Sequence, residues 1–286
     1  LDEPEPLAYT FRKPSRKHAR MSRPWPVLAL LLFLAFPPAL PAASTSNLER
    51  EKNWADQIVD YLVTGEAVRL EANQVKFLAL YTKPAAAHSN SAQGVILLHG
   101  RGVHPAWGFI DTLRADLADA GWHTLSLQLP ILDVDIKLSE YGKTFPEAFQ
   151  RIDAGVRYLQ ERGVKRIVLV GHSSGAMTAV AYATERPKAA LGGIVTIGLT
   201  TEPAGNNYMQ PVLMLEKLRV PVLDVFGSQD LPLVLNNAKA RAAAAKKAGN
   251  SAYTQVRIKG ANHFYTDHYN DLRANLGAWL AKLPAK

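Results

Sequence analysis

The chain has 286 residues, of which 48% are hydrophobic, 20% charged and 8% aromatic, a globular composition that excludes disorder, collagen and coiled coil as whole-chain readings. Cysteine is absent, which excludes disulfide scaffolds, Cys-ligated zinc or iron–sulfur sites, thiol catalysis and a lipidated-Cys anchor. Lys and Arg outnumber Asp and Glu by 33 to 25, a net charge of +8, so whether a polyanion is a partner depends on where that charge sits.

In chain order, the first feature is the uncharged apolar run Val27–Phe36, preceded by Met21 and Arg23 and followed by prolines and small residues. A basic start, an apolar stretch of about 7–15 residues and a small-residue end describe a secretory signal peptide. The run is half the ~20 apolar residues a transmembrane helix needs. Residues 21–43 are therefore expected to be a signal, cleaved near Ala42 or Ala43, and the protein to be exported to the periplasm or beyond, with no membrane span after processing. A signal's basic region is normally terminal, so translation is expected to begin at Met21, with residues 1–20 an artefact of start assignment. Removing residues 1–42 takes away Arg12, Lys13, Arg16, Lys17, Arg20 and Arg23 against Asp2, Glu3 and Glu5, which lowers +8 to +5. The densest remaining basic stretch holds Lys239, Arg241, Lys246 and Lys247 in an Ala-rich run. It reads as a solvated helix face, and no nucleic-acid partner is expected.

Beyond the signal, the spacing of Trp54, Ile58, Tyr61 and Leu62 predicts a helix over Asn47–Val63. Ala67–Leu70 and Val75–Tyr81 alternate as an edge hairpin turning at Asn73. Gly94–Leu98 is a continuous apolar run, as in a strand buried on both faces. Helices and strands then alternate: helix Ala106–Ala120, strand Thr124–Leu129, helix Phe145–Arg162, strand Arg166–Val170, helix Ser173–Arg186, strands Ile194–Ile197 and Val220–Phe226, helix Leu231–Ala248, strand Tyr253–Ile258 and helix Tyr269–Leu283. This alternation predicts an α/β fold, a mostly parallel sheet with helices on both faces. With no internal repeat and no linker, 44–286 reads as a single domain.

Gly171-His172-Ser173-Ser174-Gly175 fits G-x-S-x-G, a serine on a strained turn between strand and helix. The glycines two residues either side let strand and helix pack closely, and the helix start brings free amides and a positive dipole end. An apolar strand before it and a helix after it supply the context the motif requires. His99-Gly100-Arg101-Gly102 ends the strand at Leu98, and the amides of Arg101 and Ser174 are the expected oxyanion donors. Asp230, past strand Val220–Phe226, and His263, past strand Tyr253–Ile258, complete the chain order Ser…Asp…His at the carboxyl ends of strands. Asp224 is a rival acid, and His268 a rival base. His104 precedes the serine in the chain, and His172 reads as packing beside it. No cofactor or metal is expected.

These pieces resemble the α/β-hydrolase superfamily. More narrowly, over roughly residues 47–284, the chain is similar to a family of secreted bacterial α/β-hydrolase proteins of unknown function, through LLHGRG at 97–102, GHSSG at 171–175, VFGSQD at 225–230 and GANHFY at 260–265. The resemblance implies the hydrolase fold and a Ser173–Asp230–His263 site. The expected activity is cleavage of a small-molecule ester, or an amide, through an acyl-enzyme. The alternative is a non-catalytic envelope binding protein that keeps the fold. Of the connections, Leu199–Gln210 is expected to form at most a small flap, and Pro130–Thr144 to border the site. Trp107, Phe109, Tyr208, Met209, Phe264 and Tyr265 are the candidate acyl-pocket residues. Oligomeric state has no signature in the sequence.

Overall fold

The computed structural model describes residues 43–88 and 91–283. The expected signal and the segment before it lie outside the described residues. Helix α1 (Leu48–Tyr61) starts at Asn47, whose side chain accepts from the Arg50 amide at 2.8 Å, an N-cap of the usual kind. Strands β1 (Glu66–Ala72) and β2 (Val75–Thr82) pair antiparallel. Asn73 and Gln74 turn between them with φ of 47° and 65°, the left-handed pair that a two-residue hairpin requires. β1 carries Glu66, Arg69 and Glu71 on the sheet's open edge, where charge discourages further strand pairing.

The remaining strands are β3 (Gln93–Leu98), β4 (His123–Leu127), β5 (Arg166–His172), β6 (Leu191–Ile197), β7 (Val222–Gln229) and β8 (Tyr253–Asn262). They form one eight-stranded sheet in the order β1-β2-β4-β3-β5-β6-β7-β8, parallel from β4 onward. Every residue of β4, β5 and β6 is buried, as expected of parallel strands covered on both faces. Around the sheet lie α2 (Phe109–Asp119), α3 (Phe145–Gln160), α4 (Ser174–Glu185), α5 (Pro211–Leu215), α6 (Pro232–Leu235), α7 (Ala238–Lys247) and α8 (Tyr269–Leu280). Two large apolar clusters occupy the two sides of the sheet, one gathering α3 and α4, the other α2 and α8. The alternation of the sequence thus gives the α/β-hydrolase architecture. Among the described residues no helix is long and apolar enough to cross a membrane.

Two expectations change here. The helix expected over Leu231–Ala248 is two helices, broken at Asn236 and Asn237. The Asn237 side chain donates to the Leu233 carbonyl at 3.0 Å, and Arg241 Nη1 donates to the Val234 carbonyl at 2.8 Å. Side chains thus take carbonyls that a continuous helix would use. Arg241 is consequently not on a solvated face. Its guanidinium is fully buried and pairs with the equally buried Asp224, Nε to Oδ2 2.8 Å. Asp224 also accepts from Tyr253 OH at 2.7 Å and Gln255 Nε2 at 2.9 Å. Removing one partner of such a pair leaves the other charge buried and uncompensated. Asp224→Asn is expected to destabilise the fold by about 3–5 kcal/mol in urea titrations.

A second buried ionic group ties the first helix to the domain. Arg151 of α3, buried, donates to Glu51 of α1 at 2.9 Å, to Glu147 at 2.6 Å and to the Gln128 carbonyl at 3.0 Å. Glu147 in turn receives Ser44 Oγ at 2.9 Å and the Thr45 amide at 2.7 Å. Residues 44–51 are therefore held against the body of the protein.

Candidate active site

The strand that carries the G-x-S-x-G sequence runs to His172, two residues beyond its apolar run, and α4 begins at Ser174. Ser173 between them has φ 56° and ψ −118°, a left-handed conformation costly for a side-chain-bearing residue and held here by its surroundings. Its amide is fixed by the Ile197 carbonyl at 2.9 Å. A Cβ on Gly171 would run into the backbone of Gly175, and a Cβ on Gly175 into the Leu98 and His99 carbonyls. Neither obstacle can move without shifting β3 or α4. Gly175→Ala is expected to lower stability by at least ~3 kcal/mol or abolish soluble expression, read as the thermal midpoint beside wild type.

β7 and β8 continue past the predicted strand ends at Phe226 and Ile258 to Gln229 and Asn262, with a shift of register between Gly227 and Gln229. Ser228 Oγ accepts the Gly260 amide at 2.8 Å across the pair. This extension brings the next residues, Asp230 and His263, together. His263 Nδ1–H donates to Asp230 Oδ1 at 2.6 Å, with both side chains buried. The second carboxylate oxygen of Asp230 accepts the Gly227 amide at 3.3 Å, and Oδ1 also accepts the Leu231 amide at 2.8 Å. The bond to His263 thus comes from Asp230. Asp224 is committed to Arg241, Tyr253 and Gln255, and His268 pairs with Asp271 at 3.0 Å on the surface. Gly198, φ 57°, lies under the imidazole; a Cβ there would stand 2.9 Å from His263 Nδ1.

Ser173 and His263 line one open pocket of about 280 Å³. With Nδ1 bonded to Asp230, the imidazole leaves Nε2 for this pocket. Ser173 Oγ makes no hydrogen bond among the described residues; it and His263 share the pocket without touching through one. Such bonds often tighten only when substrate is present. Gly100 and Arg101 also line it, Gly100 beside the serine. Among the described residues the amides of Arg101 and Ser174 donate to no protein group, as the first amides of a helix and a tight turn commonly do not. The His99 imidazole, buried, donates from Nδ1 to the Gly100 carbonyl at 2.8 Å and accepts the Leu129 amide at Nε2 at 2.9 Å. Holding that carbonyl fixes the plane of the Gly100–Arg101 peptide and hence the direction of the Arg101 N–H. Burial lowers the His99 pKa to about 3, so the ring stays neutral.

His172 packs beside the serine, as its position suggests. Its Nε2–H donates to the His263 carbonyl at 3.0 Å, and its ring lies between His263, 4.7 Å away, and Trp107, stacked at 6.0 Å. Its Nδ1 is buried without a partner. Burial lowers this pKa also to about 3, and the neighbouring His263 pushes it the same way.

Of the six candidate pocket residues, Trp107 and Phe264 line the pocket. Phe109 instead packs edge-on to His172 and Tyr265, and Tyr265 is buried with its hydroxyl on the Val225 carbonyl at 3.3 Å. Tyr208 stacks on Phe145, and Met209 is wholly buried in the core. The Leu199–Gln210 segment turns inward and ties to the neighbouring loop through Asn206 Nδ2 to the Gly142 carbonyl, 2.8 Å. Neither it nor 130–144 lines this pocket. His104 stacks edge-on to Trp54, away from the pocket. Sequence reasoning missed Val103 and Leu231, which do line it. It also missed Asn262, whose side chain accepts the Phe264 amide at 2.9 Å and the Thr266 amide at 3.2 Å and shapes the His263 turn. An Asn directly before a turn was the available signal.

A strained serine at the end of β5, with an acid–imidazole pair beyond β7 and β8, on this sheet order, defines the α/β-hydrolase class of fold. Solved structures agree. Est1E from Butyrivibrio proteoclasticus is similar with a TM-score of 0.60 at 19% identity, covering 77% of this chain and 99% of that one. The esterase Pf2001 of Pyrococcus furiosus has a TM-score of 0.62 at 16% identity, covering 76% and 92%. Dienelactone hydrolase from Anabaena variabilis has 0.58 at 20%, covering 77% and 98%. At these identities the likeness is one of fold. No curated protein matches the chain in sequence. The chain belongs to the family described as "Protein of unknown function (DUF3530)", whose model matches residues 17–147 and 137–281.

Proposed function

We propose that the protein is a serine hydrolase that cleaves an ester bond through an acyl-enzyme on Ser173. The observation that carries this reading is the 2.6 Å bond from His263 Nδ1 to Asp230, which leaves Nε2 to the pocket that Ser173 lines from its strained turn. Ser173 Oγ attacks the carbonyl carbon as His263 Nε2 takes its proton. Asp230 holds the imidazole tautomer and stabilises the imidazolium. The amides of Arg101 and Ser174 receive the developing oxyanion, helped by the positive end of α4. The carbon–oxygen bond to the alcohol then breaks, and the alcohol leaves with the proton from His263. Water attacks the acyl-serine with His263 again as base, and the acid departs as Ser173 regains its proton.

A fluorophosphonate probe tests the reading. Covalent labelling that maps to Ser173 and disappears in Ser173→Ala supports it. Absence of labelling in folded wild-type protein favours the non-catalytic alternative. A paired panel of esters and amides with the same acyl group then separates esterase from amidase, since both reactions pass through one acyl-enzyme. We place the activity outside the cytoplasm, on the strength of the signal-like segment 21–43. N-terminal sequencing of protein from periplasmic extracts should begin near Ala43 or Ser44; an intact residue 21–43 segment on the purified protein would overturn that placement.

A further inference from the structure

Among the described residues that line the pocket, Arg101 alone has a formally charged side chain. The two pocket histidines are committed to other groups, His263 to Asp230 and His172 to the His263 carbonyl. The acid of the site, Asp230, is buried behind His263. Arg101 is exposed, and among the described residues its guanidinium makes one hydrogen bond, a long one, Nη1 to the Ile136 carbonyl at 3.4 Å. The carboxylates on that neighbouring loop do not neutralise it. Asp133 receives Asn47, Glu140 pairs with Lys143, and Asp135 forms no ion pair among the described residues. Around this cation the pocket is apolar. Trp107 and Phe264 stand edge to face at 5.7 Å, and Phe264 and Leu231 are 53% and 45% exposed at the mouth. Exposed aromatic and aliphatic groups beside an unpaired guanidinium form a surface that is incomplete without an apolar anion.

Resting on the hydrolase reading, we propose that the substrate is an ester in which a compact apolar group, aromatic or short aliphatic, bears a carboxylate that pairs with the Arg101 guanidinium. The apolar part lies against Trp107 and Phe264. The Arg101 side chain leaves the backbone at the residue whose amide receives the oxyanion, so the carboxylate sits within one side-chain length of the reacting carbonyl. A single cation without a second beside it matches a monoanion and not a phosphomonoester, whose two charges call for more than one partner. The 280 Å³ volume, at the low end for ligand pockets, keeps the group small.

The test separates binding from turnover. Benzoate and its neutral isostere benzamide are titrated calorimetrically into Ser173→Ala protein and into the same protein carrying Arg101→Gln or Arg101→Lys. Benzoate should bind about fivefold more tightly than benzamide, the size of effect a partly exposed pair gives. That preference should vanish in Arg101→Gln, survive in part in Arg101→Lys, and shrink as salt rises beyond about 0.1 M. Equal affinities, a preference that persists in Arg101→Gln, or no binding of either compound would overturn the proposal. In active protein, the ratio of kcat/KM for 4-acetoxybenzoate over its methyl ester should fall by the same factor on Arg101→Gln; an unchanged ratio also counts against it. The titrations use protein without the serine nucleophile. They can therefore fail while fluorophosphonate labelling succeeds, or succeed while it fails, so the substrate class and the hydrolase reading stand or fall separately.

Discussion

Replacing Ser173 by alanine is expected to lower kcat on a p-nitrophenyl ester by about 10⁴–10⁶ with KM nearly unchanged. His263→Ala should do the same, and the double variant should be scarcely worse than either single one, because nucleophile and base act as a unit. The expectation follows from the geometry. Ser173 carries the one hydroxyl among the described side chains that line the pocket, and His263 has a ring nitrogen left to the pocket and a carboxylate behind it. Asp230→Asn should cost about 10⁴ by favouring the wrong imidazole tautomer. Asp224→Asn should act on stability instead, because its carboxylate is bonded to Arg241, Tyr253 and Gln255. Ser173→Ala hydrolysing the ester as fast as wild type would remove the nucleophile assignment. Loss of label in Asp224→Asn with Asp230→Asn unaffected would exchange the two acids.

The second large effect is a loss of stability in mild acid. His99 and His172 are both buried neutral, with pKa lowered from 6.5 to about 3 by desolvation. In the unfolded chain they regain the ordinary value, so between pH 6.5 and about 3 the unfolded state binds more protons than the folded one. Stability from these two groups is complete above pH 6.5 and is lost progressively as pH falls through that window. Each proton taken up on unfolding contributes about 1.4 kcal/mol per pH unit. Two such groups therefore give a slope approaching ~2.7 kcal/mol per unit near pH 5, before most carboxylates begin to titrate. His104 and His123, whose pKa burial also lowers, act in the same direction. Urea midpoints from pH 7.5 to 5 measure this, and a flat profile over that range would contradict the buried neutral state. Because His99 fixes the Gly100–Arg101 peptide and His172 holds the His263 carbonyl, the same acid range should loosen the pocket before the domain unfolds globally.

How much of this was legible in the sequence depends on the kind of interaction. The strand runs at Val95–Leu98 and Ile167–Val170 are set by local composition, since a strand buried on both faces must be apolar throughout. The elbow was legible for a steric reason, because only glycine fits at 171 and 175. The break at Asn236–Asn237 was not, because what holds it is the reach of the Asn237 and Arg241 side chains to the Leu233 and Val234 carbonyls, a contact set by the folded chain. The pocket aromatics divided for a similar reason. Spacing cannot tell an aromatic facing the site from one facing the core; Met209 and Tyr265 proved to be core, and Phe109 and Tyr208 pack half-buried against it.

By itself, then, the sequence determined the order of elements, the parallel sheet, the serine's turn and the placing of Asp230 and His263 after successive strands, because each of these is dictated by residues near one another in the chain. The tertiary structure alone decided which carboxylate meets the imidazole, that Arg101 lines the pocket without an ion pair among the described residues, and that His99 and His172 are buried supports of the backbone around it. Those outcomes depend on registers and approaches between segments distant in the chain, which no local pattern encodes.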